Sequence, residues 1–129
     1  MVIVIDPQIA GVSGDMLLSS LIDLGADKNE IIEGIKKSEK FLSNSTIKKI
    51  DFKKIQKHGV ESTELILEID ENISKRKGIE IKKSILDSVN ELNLSIKAKR
   101  FAESCINSLI SSESKIHGIN EDSVHFHEA

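Results

Sequence analysis

The sequence predicts an α+β fold in which a small mixed or antiparallel sheet of about three strands is covered by about four helices, forming a two-layer sandwich. Apolar and polar residues alternate within residues 46–70, as in half-buried strands, whereas elsewhere apolar residues recur every three or four positions, as in amphipathic helices. The resulting order of one strand, two helices, two strands and two helices is typical of that class. Because 129 residues is the length of about one domain, we expect residues 1–129 to form a single domain.

The first predicted element is a strand. Residues 2–5, VIVI, are a continuous apolar run that Asp6-Pro7 ends, which indicates a strand buried on both faces. A loop with two glycines follows, and Ser13 is the predicted N-cap of the first helix. The helix places apolar residues at helical spacing, and Gly25 is expected to end it in a left-handed C-cap. Those apolar residues are Met16, Leu17, Leu21 and Leu24.

A second helix and a strand pair are predicted next. The run from Asp27 to Glu30 has the spacing of a capping box, with Asp in place of Ser or Thr. It predicts a helix that buries Ile31, Ile32 and Ile35. Ile50 and Phe52 then alternate with polar residues, as do Leu65, Leu67 and Ile69 in STELILEID, so we predict two antiparallel strands joined at His58-Gly59.

The second half of the chain is predicted to be helical. Ile81, Ile85, Val89 and Leu92 follow one another at helical spacing. Ser95 is the predicted cap of a further helix that runs to Gly118. Phe101, Cys105 and Leu109 are the apolar positions that we assign to its buried face, so Cys105 is expected to be a small core residue.

Composition argues against several classes of function. Four Phe and no Tyr or Trp leave little to stack against nucleic-acid bases, and no apolar run is long enough to cross a membrane. One cysteine cannot form an internal disulfide, and the N-terminus lacks the pattern of a secretory signal, so we expect a cytoplasmic protein. Residues 36–57 carry eight lysines, which are expected to form a solvated face rather than to bind nucleic acid.

The segment VHFHEA, residues 124–129, is the first candidate site. If it is extended, His125 and His127 point to one side about 6.5 Å apart, while Phe126 points into the core. Imidazole is a ligand for Zn, Ni, Cu and Fe, and Glu128 or His117 could complete the set. The pattern is equally compatible with structural roles for the histidines, and a position near a helix C-terminus also explains His117.

The segment DPQIAGVSGD, residues 6–15, is the second candidate. Free backbone N–H groups at a helix N-terminus bind anions, and Gly11 and Gly14 would let a ligand approach the backbone. Asp6 follows the predicted strand, where ligands of open α/β sheets often bind. Asp15 in the first helical turn is explained equally well by the helix dipole. The spacing matches neither a dinucleotide fingerprint nor a Walker loop, and by itself it favours turn geometry over a ligand site.

These two segments are where the chain resembles a known family. DPQIAGVSGDMLLSSLIDLGAD resembles the opening signature of the LarC-type nickel insertion proteins, and SSESKIHGINEDSVHFHEA resembles their later His-Gly and His-Phe-His-Glu stretch. KKIQKHGVESTELIL and RKGIEIKKSILDSVNELNLSIKAKRFAES fit in order and spacing between them. The resemblance therefore covers essentially the whole chain.

The resemblance implies a role in making the nickel-pincer nucleotide cofactor. Family members insert Ni²⁺ into a pyridinium-3,5-bisthiocarboxylate mononucleotide, forming carbon–nickel and sulfur–nickel bonds in a CTP-dependent, lyase-type reaction supported by Mn²⁺ or Mg²⁺. Carried over to this sequence, the implied residues fall into three groups. The metal ligands are His117, His125, His127 and Glu128, the groups facing the nucleotide are Asp6, Gly11, Ser13 and Gly14, and the candidate catalytic residues are Glu128 and Asp15.

Two departures from the family pattern bear on these expectations. Pro7-Gln8-Ile9-Ala10 replaces a Pro-Phe-Ser-Gly-like run, and the chain ends at Ala129 where the family continues into a second, nucleotide-associated domain. We therefore expect an N-terminal domain that does not complete the reaction alone. The alternative is a scaffold without catalytic activity, which forms homo-oligomers or docks the absent C-terminal domain.

Overall fold

The fold was analysed in a computed structural model that describes residues 2–8 and 11–126. The elements follow in the order α1, α2, β1, β2, β3, α3, α4 and β4. The helices are α1 (Gly14–Asp23), α2 (Lys28–Ser38), α3 (Gly78–Glu91) and α4 (Ile96–His117). The strands are β1 (Ser45–Lys57), β2 (Val60–Glu71), β3 (Arg76–Lys77) and β4 (His125–Phe126), and short 3-10 turns occupy Glu39–Phe41 and Glu121–Ser123.

The strands form two separate two-stranded sheets, β1 with β2 and β3 with β4. Four helices and small antiparallel sheets confirm the predicted α+β class. The chain divides into two compact units, the first made of Met1–Ile32 and Lys48–Glu68 and the second of Glu33–Ile47 and Ile69–Ala129. None of the helices in the described part of the chain is both long and apolar enough to cross a membrane.

The turn between β1 and β2 forms where the sequence predicts it. His58 and Gly59 both have positive φ, 53° and 79°. Positive φ at both central residues is the requirement of a type I′ turn, whose twist matches that of the flanking strands. Ile50 and Phe52 are buried at 8% and 5% exposure, so alternate residues of β1 supply the core of the first unit.

Several lysines of β1 form ion pairs with carboxylates, including pairs across β1 and β2. The Nζ of Lys49 lies 3.9 Å from Oε1 of Glu68, and the Nζ of Lys53 lies 3.1 Å from Oε2 of Glu64. In each pair, the lysine and the glutamate are separated from the His58-Gly59 turn by the same number of residues. These are directly opposed cross-strand pairs on the face that Ile50 and Phe52 do not use. The pairing supports the expected solvated face.

Local capping confirms the predicted helix ends. After α1, the amides of Gly25 and Ala26 donate to the carbonyls of Ile22 and Leu21, both at 3.0 Å, which is a Schellman motif around a glycine of positive φ. The Asp27 carboxylate accepts from the amides of Asn29 and Glu30 at the start of α2, at 2.8 and 3.0 Å. The isoleucines of α2 are half-buried rather than buried, because the described residues cover that helix only in part.

The prediction of a buried strand at residues 2–5 is wrong. Residues 2–7 have no regular structure, and Val2 and Val4 are 88% and 85% exposed. A strand needs a neighbouring backbone to complete its hydrogen bonds, and no described strand pairs with this segment. Hydrophobic composition alone is therefore not enough to make residues 2–5 a strand.

The second unit has a core of aliphatic residues. Ile81 of α3, Ile106 and Ile110 of α4 and Val124 before β4 form one buried cluster, against which Ile85 and Phe126 pack. Phe126 thus points into the core as predicted. Val124 is 1% exposed, so the residue before β4 is fixed in place.

The assigned buried face of α4 is wrong. Phe101 and Leu109 are 67% and 56% exposed, and Cys105 is an exposed free thiol. The core instead receives Ile106 and Ile110, which lie about 100° around the helix from Cys105 and Leu109. Apolar residues occupy both faces of α4, and packing against α3 selected one of them.

Candidate functional site

Two hydrogen bonds lie in the described part of the segment before α1, one of them to a side chain. The Asp6 carboxylate accepts a hydrogen bond from the Gln8 amide at 3.0 Å, and the Gly11 amide donates to the Pro7 carbonyl at 2.8 Å. Gly11 has a φ of 72°, a conformation that glycine adopts without steric cost. Asp6 therefore has a structural role in this turn, and position 11 has a backbone conformation that favours glycine.

At the start of α1, Ser13 occupies the N-cap position as predicted but does not cap with its side chain. Its hydroxyl donates instead to the Asp15 carboxylate. This hydrogen bond, with a further one from the Met16 amide, holds the pKa of Asp15 below its usual range. Asp15 is thus an ionised, exposed carboxylate at the positive end of the helix dipole.

Gly14 is the first residue of α1, and a Cβ built there would meet no atom of residues 2–8 and 11–126 within 4 Å. The space on that side of Gly14 is therefore open within the described part of the chain. Because Asp6 and Asp15 already place two carboxylates in this segment, it suits a hydroxyl or a cation at least as well as the bare phosphate that its glycines suggest. Asp6, Gly11, Ser13, Gly14 and Asp15 all lie in the first unit.

His125 is held by the second unit. In the β3–β4 pair, Arg76 stands opposite Phe126 and Lys77 opposite His125. The Gly78 amide extends this pairing by donating to the Val124 carbonyl at 2.9 Å. Since Val124 and Phe126 are directed into the core, the alternation of an extended chain turns His125 toward solvent.

The ring of His125 is oriented by a backbone contact. Its Nδ1 lies 2.8 Å from the Ser123 carbonyl oxygen. A carbonyl oxygen can only accept, so Nδ1 carries the proton and donates. In the neutral ring the lone pair then resides on Nε2, which is the arrangement commonly found in metal-ligating histidines.

His117, the last residue of α4, lies in the same cleft as His125. The cleft has a volume of about 410 Å³ and is lined by Lys75, His117, Ile119, Ser123 and His125. The Nε2 atom of His117 lies 3.3 Å from a carboxylate oxygen of Glu113, one turn earlier in α4. Gly118, with a φ of 63°, ends the helix as predicted and leads the chain away from His117.

Two of the predicted metal ligands, His117 and His125, thus line one cleft. The other two, His127 and Glu128, lie outside the described residues. Within residues 2–8 and 11–126, no group of three or more His, Cys, Asp or Glu side chains is arranged to hold a metal ion. The geometry of a complete metal site therefore stays a prediction.

Two features of this region were missed by sequence reasoning. Lys75 lines the cleft, and its neighbour Arg76 is a buried cation at 6% exposure. Arg76 donates through Nε and Nη2 to the Glu71 carboxylate at 3.0 and 2.8 Å, and through Nη2 to the Ser45 hydroxyl at 2.5 Å. The guanidinium and the Ser45 hydroxyl hold the pKa of Glu71 below its usual range. The run Lys-Arg-Lys before α3 was the signal available.

The chain is similar to proteins of one known family. The sequence profile of the nickel insertion proteins matches residues 3–129. The chain is 33% identical to a pyridinium-3,5-bisthiocarboxylic acid mononucleotide nickel insertion protein of Staphylococcus saprophyticus and 35% identical to one of Staphylococcus epidermidis, with 92% of this chain and 28% of each relative covered. A protein of that name from Akkermansia muciniphila is 35% identical, with 92% and 29% covered.

The chain spans about 30% of the length of the curated relatives that it matches. No solved structure matches it. The family match runs through both candidate segments, from the aspartate-glycine loop to the His-Phe-His-Glu terminus. On this agreement over nearly its full length, the chain belongs to the nickel insertion protein family.

Proposed function

We propose that this chain takes part in placing Ni²⁺ into a pyridinium-3,5-bisthiocarboxylate mononucleotide. The observation that carries the proposal is the pair of imidazoles in one cleft, His117 and His125, with Nε2 of His125 left to accept a metal by the contact of its Nδ1 to Ser123. Neutral imidazole suits Ni²⁺, and a site with few ligands can release the ion again. The names of the relatives support the nature of the acceptor.

In the proposed reaction, nickel is a substrate that the histidines hold and pass on. His127 and Glu128 would add to His117 and His125 as ligands. Forming the carbon–nickel bond breaks a ring C–H bond, whose electron pair goes to nickel while the proton goes to a base. Each thiocarboxylate sulfur then donates an electron pair to the metal. Glu128 is our candidate for the base, because a carboxylate next to the metal ligands can both bind and accept a proton.

The segment of residues 6–15, in the first unit, is a separate candidate for binding a nucleotide. Gly11 and Gly14 leave the backbone open at the start of α1, while Asp6, Ser13 and the ionised Asp15 offer hydrogen bonds and negative charge. We infer that this segment binds the ribose hydroxyls or a Mg²⁺ or Mn²⁺ ion on the phosphate, with Asp15 the second catalytic candidate. CTP use would belong to the longer relatives, and the single unpaired cysteine favours the cytoplasm for the reaction.

Calorimetry with Ni²⁺ on protein without an affinity tag tests the proposal. The wild type is expected to bind, and the His125→Ala/His127→Ala variant to lose at least about tenfold in affinity because each imidazole supplies a ligand. His58→Asn is the matched control, since His58 lies in the β1–β2 turn and asparagine tolerates its positive φ. Equal binding by the double variant and the wild type would remove these histidines as ligands.

A second candidate function is that of a scaffold that forms homo-oligomers. A row of exposed residues along α4 favours it: Phe101, Cys105, Leu109 and Ile116 lie on one side of the helix, and Phe101 and Ile116 are 67% and 74% exposed. A single 22-residue helix bearing such a row can pair with its own copy about a two-fold axis. We take a second copy of this chain as the occupant.

Native mass and light scattering, with and without nickel, test the scaffold. It predicts a dimer that forms without metal and that Phe101→Asp and Ile116→Asp convert to monomer, with Lys97→Asp as the control on the same helix. A monomer at all concentrations would exclude self-association through α4. Nickel binding by that monomer would leave the insertion proposal as the surviving one.

A further inference from the structure

The histidine cleft contains a cation that the described structure does not neutralise. Lys75 is exposed and lines the cleft beside His117, Ser123 and His125. It makes no hydrogen bond or ion pair with any residue within 2–8 and 11–126. Two lysines of the same unit are paired by contrast, Lys40 with Glu91 at 2.7 Å and Lys83 with Asp87 at 2.5 Å. A cleft lysine that pairs with none of the described residues is a candidate for binding a ligand.

The lining of the cleft favours an anion. Among the described residues, no carboxylate lines it, since Glu113 contacts His117 from outside the lining set. The Ser123 hydroxyl can donate a hydrogen bond. Lys77 adds a second positive charge nearby, because it stands directly opposite His125 in the β3–β4 pair. The two ammonium groups add positive charge to the part of the cleft that the structure describes, and this charge attracts an anion.

We propose that Lys75 binds a ring carboxylate or thiocarboxylate of the pyridinium mononucleotide and holds the ring against the histidines. The inference rests on the proposed function for the identity of the ligand. Its geometric basis is that Lys75 lines the same cleft as the imidazoles of His117 and His125. The sulfur atoms that would receive nickel are on those ring substituents, so an anchor next to the metal ligands places donor and acceptor together.

Nicotinic acid mononucleotide, a pyridinium nucleotide with one ring carboxylate, is the probe. Its binding to the wild type, Lys75→Met and Lys97→Met is measured by calorimetry at low salt. Lys97 is the matched control: it is an exposed lysine in the first turn of α4, about 30 Å from the end of that helix at His117. We expect Lys75→Met to weaken binding at least about fivefold and Lys97→Met to leave it unchanged.

Two analogues separate the sources of negative charge. Nicotinic acid riboside keeps the carboxylate without the phosphate, and nicotinamide mononucleotide keeps the phosphate without the carboxylate. The proposal predicts dependence on Lys75 for the riboside and none for the amide mononucleotide. It is overturned if the wild type does not bind the acid mononucleotide, if both lysine variants bind it as the wild type does, or if the dependence follows the phosphate.

A nickel titration of the same proteins keeps the two proposals distinguishable. Lys75 is not a metal ligand, so Lys75→Met is expected to bind Ni²⁺ no more weakly than the wild type. Carboxylate binding that depends on Lys75 in a protein that does not bind nickel would support the anion subsite and reject nickel handling. If the protein binds nickel and its binding of the carboxylate does not depend on Lys75, nickel handling is supported and the anion subsite is rejected. Circular dichroism confirms that the variants are folded.

Discussion

Gly78 lies so close to Ile110 that a Cβ at position 78 would stand 3.1 Å from Cγ1 of Ile110. Phe126 is also near, with its Cε2 at 3.4 Å from that point. Gly78 begins α3, and its amide donates to the carbonyl of Val124, the residue before the strand that carries His125. The absence of a side chain at 78 therefore lets α3, α4 and β4 meet.

Gly78→Ala is expected to lower the free energy of unfolding by about 1 kcal/mol. Alanine reduces the conformational entropy of the unfolded chain, which stabilises the fold, but the cost of crowding Ile110 and Phe126 is larger. Gly34→Ala is the matched control. Gly34 lies inside α2, and among the described residues a Cβ there would meet Leu92 Cδ1 alone, at an ordinary 3.9 Å. That change should stabilise by roughly 0.5 to 1 kcal/mol. Urea denaturation measures both, and equal effects would contradict the close packing.

Arg76→Met is expected to cost about 2 to 3 kcal/mol in the free energy of unfolding, because it leaves the partly buried Glu71 carboxylate without its partner. This loss of stability is smaller than the loss expected for a fully buried ion pair, because the Glu71 side chain is 35% exposed. Arg76→Met/Glu71→Gln should recover part of the loss because no unpaired charge remains. A double variant less stable than the single one would contradict the account.

Glu71 also predicts a dependence of stability on pH. Its pKa in the folded protein lies below the usual 4.5, so the carboxylate stabilises the fold at neutral pH, and this contribution is lost as the pH falls below about 4.5 and through the folded pKa. Glu71→Gln lacks the contribution. The difference in Tm between the wild type and Glu71→Gln should therefore shrink from pH 7 to pH 3. A constant difference would exclude the linkage.

Ser95→Ala is expected to lower the free energy of unfolding by about 1 kcal/mol. The Ser95 hydroxyl oxygen accepts a hydrogen bond from the Ala98 amide at 3.2 Å and so caps α4. Ser13→Ala is the control at the same position of α1, where the side chain does not cap the helix. Thermal unfolding of the two variants compares them. A larger loss for Ser13→Ala would reverse the assignment.

The features predicted correctly from sequence are those that neighbouring residues decide among themselves. The Schellman motif at Gly25, the cap at Asp27 and the His58-Gly59 turn each depend on one or two residues whose conformational preferences are intrinsic. The alternation of Ile50 and Phe52 predicts their burial for the same reason. The two histidines of the cleft were named from different signals: His125 from its spacing to His127, and His117 as an additional ligand, with the family resemblance supporting both.

Tertiary structure decided what depends on distant parts of the chain. Residues 2–5 have the composition of a strand, but a strand forms only beside another backbone, and the described sheets provide none for it. Either face of α4 could have been buried, and contact with Ile81 of α3 selected Ile106 and Ile110. Lys75 joined His117 and His125 because the β3–β4 pair and the end of α4 meet there. A sequence pattern shows which residues can bind or pack. Their positions depend on contacts between residues far apart in the chain, and the energies of those contacts cannot be read from a local pattern.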